Sequence, residues 1–163
     1  MNTRTKIRRE DGAAAVEFAL IVGVLVMLIF GMLQFGLAFF QLQNLRAATR
    51  EGARAGAVGA TETQVRQRVA DSSLNAIDPA NPAILVQYSY DASVNSPAWV
   101  AGVCPATSDP NRTLDAAIRV SINLNDSGLP QGLKDIFTVN IPLLPPISLL
   151  DAKINGQFRC EGA

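Results

Sequence analysis

From Phe18 to Phe40 the chain runs for 23 residues without a charge, and Gln34 is its only strongly polar side chain. At about 1.5 Å per residue, a helix of that length crosses a hydrocarbon core of roughly 30 Å. A cleaved secretory signal has an apolar stretch of about 7–15 residues followed closely by a small-residue cleavage site. Here the Ala-x-Ala at Ala55 to Ala57 lies beyond Arg46, Arg50 and Arg54. The run therefore reads as a retained single span.

The helical pattern continues past the span through "LRAATREGARAGAVGA". Ala48, Gly52, Gly56 and Ala60 recur every fourth residue and form a narrow small-residue face that lets another backbone come close. Arg46, Arg50 and Arg54 form a second stripe at the same spacing. That stripe suits a solvated or headgroup-facing edge, or a set of contacts to neighbouring copies. Gly59 loosens the helix, and Thr61 with Gln64 fits a capping box opening a second, amphipathic helix. Val65, Val69 and Ile77 mark its apolar side, and Asp78-Pro79 its expected end.

Beyond Pro79 the period changes to two. Ile84, Val86, Tyr88 and Tyr90 alternate with more polar neighbours, as do Ile118, Val120, Ile122 and Leu124. Phe137, Val139, Ile141 and Leu143 follow the same rule, and so do Ala152, Ile154, Phe158 and Cys160. Such alternation predicts strands with one buried and one wet face. "NDSG", Asn125 to Gly128, opens a turn after the second of them. The expected fold is α+β: a long N-terminal transmembrane helix continuing into an extracytoplasmic domain with an antiparallel sheet of about four strands. The helices outside the span cover its apolar side. Residues 91–115 read as one long loop. "IPLLPPISLL", Ile141 to Leu150, is apolar and broken by three prolines; burial beneath the sheet is the favoured reading and an exposed contact patch the other.

Charge and cysteine content sharpen this picture. The formal net charge is zero, so nothing draws the chain to nucleic acid. Four basic residues precede the span (Arg4, Lys6, Arg8, Arg9) and three follow it, a weak orientation signal. Both cysteines, Cys104 and Cys160, lie after the span in a chain without histidine, which suits a disulfide in an oxidising compartment better than a metal site. The N-terminus is accordingly placed in the cytosol. A Cys104–Cys160 bridge would tie the long loop to the last strand, an intermolecular bridge being the alternative.

Catalytic constellations are missing. No histidine means no His-based triad and no His metal site. No glycine-rich loop carries a P-loop lysine, and the acids are scattered singly. "NLNDSG" echoes a calcium loop, but its twelfth position is Lys134, where a bidentate glutamate is required. "NRT", Asn111 to Thr113, matches a glycosylation sequon. Neither an enzyme nor a cofactor is expected.

One constellation remains: "RREDGAAAVEF", in which Gly12, Ala13, Glu17 and Phe18 lead into the span. Glu17 alone could be an acid in a helix's first turn, favoured by the macrodipole. If a protease cuts after Gly12, Ala13 becomes a free amine and Glu17 the fifth residue of the new chain, on the same helical face. When helices pack into a bundle, a buried lone carboxylate is costly, and the Ala13 ammonium of a neighbouring copy would neutralise it and set the stagger.

The basic leader, "GAAAVEFALIV" and "ATREGARAGA" together resemble the TadE-like pseudopilins of the tight-adherence (Flp) pilus, a branch of the type IV pilin superfamily. The resemblance covers residues 8–57, with only the general layout matching after that. It implies a type IV pilin-like fold and cleavage between Gly12 and Ala13 by a membrane aspartyl prepilin peptidase. It also implies a minor pilin that assists pilus assembly, with other pilin subunits, the tight-adherence secretion machinery and the lipid bilayer as partners. "REGAR", Arg50 to Arg54, resembles the family's post-membrane signature, which makes Arg50, Gly52 and Arg54 assembly candidates alongside Glu17. The expected organisation is a cleaved leader over 1–12, a long helix over 13–57 with its span at about 18–40, and an extracytoplasmic α+β domain over 58–163. Two other readings use the same anchor. One is an uncleaved single-pass envelope protein whose outer domain binds a ligand or envelope partner. The other is an adhesin displaying the Trp99 loop and the proline-rich segment.

Overall fold

The computed structural model describes residues 7–126, 128–139, 147–148 and 153–161. The chain divides into two compact units that meet between Phe39 and Phe40, and helix α1, Ile7–Ala57, contributes to both. It begins five residues upstream of Gly12, so Gly12 stands within helical backbone.

The first unit consists, among its described residues, of α1 up to Phe39. Its large side chains are uncovered: Phe18, Phe30 and Met32 are 68%, 66% and 73% exposed. Apolar side chains shown on this scale need an apolar surrounding. Among the described residues α1 is the one helix long and apolar enough to cross a membrane.

The second unit, from Phe40 on, is an antiparallel sheet covered on one face by helix. Residues 40–57 of α1 enter it, and α2 (Glu62–Ser72) follows. The strands are β1 (Ile84–Ser89), β2 (Val100–Ala101), β3 (Ala117–Asn123) and β6 (Lys153–Arg159), in the spatial order β2-β1-β3-β6. Register is set by the alternation: Val86 faces Val120, and Ile122 faces Ile154. Ile84, Ile118, Val120 and Ile122 are fully buried on the helix-covered face, together with Leu45, Val65 and Val69. The α+β layout of a long apolar helix followed by a four-strand antiparallel sheet is therefore the observed one.

α1 ends as a glycine-closed helix should. Gly59 takes φ +95°, its amide donates to Gly56, and the Ala60 amide reaches back to Ala55. Ala60, included in the small-residue face by spacing, thus lies past the helix end. The capping box opening α2 is complete: the Thr61 hydroxyl accepts from the Gln64 amide, and the Gln64 side chain accepts from the Thr61 amide. α2 stops at Ser72 rather than near Asp78 because Leu74 and Asn75 turn left-handed, at φ 58° and 56°. Ile77 is still buried, but from the following turn.

Three expectations change. Phe137 closes a short helix, α3 (Gln131–Phe137), instead of opening a strand. Leu133 and Phe137 are both buried one turn apart, so a helical spacing wins there. Thr138–Val139 (β4) is extended and pairs with β5, Ile147–Ser148, in a separate ladder. Ile141 and Leu143, and with them the burial of all of 141–150 except that two-residue strand, lie outside the described residues. The fourth strand of the main sheet is instead β2, from within the presumed loop. Finally, Phe158 is 40% exposed although it shares the parity of Ile154, because β6 is an edge of the sheet.

Candidate functional site

Gly12, Ala13, Glu17 and Phe18 all lie on α1 and all are exposed. Ala13 and Glu17 are four residues apart, one turn or about 6 Å along the axis. A methyl group added at Gly12 would meet nothing within 4 Å. Packing within the chain therefore does not require a glycine there, while its presence weakens the helix locally by about 1 kcal/mol.

Further along α1, two faces separate. Arg46, Arg50 and Arg54 are all exposed, and none forms an ion pair among the described residues. Arg54 also lines a groove of about 580 Å³ with Glu51, Val58, Arg68 and Asp71. Ala48, Gly52 and Gly56, by contrast, are buried within the second unit. A methyl on Gly52 would stand 2.4 Å from Val69 Cγ2, and one on Gly56 2.3 Å from Ile118 Cδ1. Gly52 is thus taken up by its own α2 and is not presented to a neighbouring copy.

A close backbone approach to α1 occurs instead at Thr49, outside that set of small residues, directly against Gly156 of β6, where an added Cβ would lie 2.4 Å from the Thr49 carbonyl oxygen. Gly156 was not singled out by the sequence pattern, although a lone glycine inside an alternating strand signals such a contact.

Cys104 and Cys160 form a disulfide across 56 residues. Arg112 fastens both of its flanks, donating to the carbonyls of Pro105 and Cys160. The Cys160 amide donates to Ala116 and the Glu161 amide to Ala57 at the end of α1.

On the sheet face away from the helices, Arg119 donates to Gln87 at 2.8 Å and its guanidinium lies 4.2 Å from the Trp99 ring centre. Burial lowers its pKa. At the end of β1, Tyr88 and Tyr90 meet edge to face, and Tyr90 donates to Asp109. The hydrogen bond shared with Tyr88, then desolvation and the Asp109 charge, push the Tyr90 hydroxyl up to about 12. Hydrogen bonds from the Ser93 hydroxyl and amide hold Asp91 below the usual carboxylate range. No group of three or more metal-ligating side chains occurs among the described residues.

Residues 12–54 match the model of a family described as TadE-like protein. That match falls within the residues that carry the resemblance noted above and supports a TadE-like protein of the tight-adherence pilus system. No curated protein and no solved structure matches the chain.

Proposed function

We propose, from the TadE-like character of residues 12–54, that this chain is a minor pilin subunit that works after proteolytic processing. A prepilin peptidase hydrolyses the Gly12–Ala13 amide, leaving a carboxylate on Gly12 and an ammonium on Ala13. The leader is residues 1–12; the remaining helix holds the chain in the inner membrane through 18–40, with the N-terminus cytoplasmic and the α+β domain of 58–163 outside.

The observation that carries this reading is the solvent-open Gly12, one residue before Ala13 and one turn before exposed Glu17. A helical glycine with no packing partner is easily unwound into the extended form that a protease needs. At the edge of the span Glu17 reaches the interface at small cost, whereas deeper in a bundle it needs a cation. The new Ala13 ammonium of an adjacent copy supplies that cation and fixes the stagger between helices. Arg50 and Arg54, exposed and without ion-pair partners among the described residues, are available to acidic groups of neighbouring subunits.

The deciding measurement is the N-terminal residue of the native protein by mass spectrometry from cells with an active peptidase. Ala13 is expected. An intact leader in polymerised material overturns processing and favours the uncleaved envelope protein.

A further inference from the structure

We propose that Arg46 grips the phosphate of an anionic phospholipid at the end of the span and so holds α1 at a fixed depth. The proposal rests on the membrane reading of residues 18–40 and not on cleavage at Gly12–Ala13. α1 is one unbroken helix from Phe40 through the arginine stripe. At about 1.5 Å per residue, the Cα atoms of Arg46, Arg50 and Arg54 lie about 9, 15 and 21 Å beyond Phe40. The headgroup layer on each side of the hydrocarbon is about 5–7 Å deep. Helical side chains lean towards the helix N-terminus, which here is towards the hydrocarbon. The Arg46 guanidinium therefore falls at headgroup level, while Arg50 and Arg54 start about one and two turns too far out.

The surroundings of Arg46 leave this path open. Leu42, Leu45 and Thr49 are buried within the second unit, whereas Gln43, Arg46, Ala47 and Arg50 are exposed. No carboxylate of the same helix stands by to neutralise Arg46. The nearest acid in sequence, Glu51, is five positions on and about 140° round the helix. Arg46 forms no ion pair among the described residues. Arg50, one turn away on the same stripe, repels it. An anion seated beside Arg46 supplies the missing partner and relieves that repulsion.

Depth and geometry together select a lipid phosphate. The planar fork of a guanidinium matches two oxygens of a phosphate diester, and phosphates are the anions that populate this layer. An acidic face of another copy would have to arrive at the lipid surface, whereas headgroups surround the helix there at all times.

The full chain is first floated with vesicles of neutral phosphatidylcholine under alkaline carbonate, which tests insertion alone. It is then released into mild detergent with equal phosphatidylglycerol and phosphatidylcholine, and the retained lipids are counted by native mass spectrometry. The native chain is expected to keep phosphatidylglycerol in preference, and soluble glycerol phosphate should not displace it. Arg46→Gln should weaken that retention about fivefold, the weight of one basic residue at an anionic surface. Arg46→Lys should fall in between, keeping the charge without the fork. Arg68→Gln, at an exposed position of α2, should match the native chain. Flotation followed by equal retention in Arg46→Gln and the native chain overturns the proposal alone, as does an equal loss in Arg68→Gln or displacement by glycerol phosphate. Cross-linking between copies that Arg46→Gln abolishes, with lipid retention unchanged, assigns the residue to a neighbouring subunit and overturns it too. Failure to float overturns the membrane reading and the proposal together.

Discussion

Gly156 presses on the backbone of Thr49 so closely that a methyl group there would stand 2.4 Å from the Thr49 carbonyl oxygen, 2.5 Å from its carbon and 2.6 Å from the Arg50 nitrogen. Helix backbone cannot give way as a side-chain end can. Overpacking of this kind costs about 1–3 kcal/mol or more. Gly156→Ala is therefore expected to lower the denaturation midpoint clearly.

Gly56→Ala should behave differently. Its new methyl meets the Ile118 Cδ1 terminus, which can rotate aside, with Val65 Cγ2 next at 3.1 Å. Alanine also gains about 1 kcal/mol of helix propensity. The net change should be small, and equal losses for the two variants in thermal unfolding would refute this ranking.

The disulfide closes 56 residues, worth about 4 kcal/mol in the chain-entropy model. Cys104→Ser with Cys160→Ser should reduce stability by a similar amount. Hydrogen exchange should rise first at the Cys160 and Glu161 amides, which the bridge holds against Ala116 and Ala57. Unchanged protection at those two amides would contradict a clamping role.

Tyr90 predicts an alkaline transition. Its folded pKa is raised from 10.0 to about 12, so the folded state holds the phenolic proton more tightly than the unfolded chain. The resulting stability is complete below pH 10 and is lost as pH rises towards about 12. Thermal melts between those limits should decline more steeply in the native protein than in Tyr90→Phe.

At the N-terminus, Gly12→Leu should leave a full-length precursor, visible as a mass increase. Glu17→Ala should still be cleaved but fail to assemble. Normal piliation by Glu17→Ala would remove the pairing of carboxylate and terminal amine.

Most of the second unit was legible because its signals are local and long enough. Six or seven alternating residues suffice for β1, β3 and β6, and Thr61 with Gln64 announces α2. What escaped is what two-residue patterns cannot carry: β2 is only Val100–Ala101. Around Phe137, spacings of two and four share the same residues, and Leu133 tips the outcome to a helix. The left-handed Leu74 that ends α2 has no residue-level signal, since leucine disfavours that conformation. For the small-residue face of α1, spacing foretold a close approach, but Gly52 and Gly56 receive the side chains of Val69 and Ile118, and the tight backbone contact falls at Thr49 instead. Its partner there lies more than a hundred residues later, in Gly156 (156 − 49 = 107).

The hydrogen bond from Glu161 to Ala57 spans 104 positions (161 − 57), and β6 is the last strand described. An early helix is thus finished by residues made more than a hundred positions later. At about 5–20 residues per second, the first half of this unit waits several seconds for its closing piece. For the last part of that interval, the 30 positions from Asn123 to Lys153, β3 is paired with β1 alone, and its other edge is a bare ladder that a holding chaperone can grip.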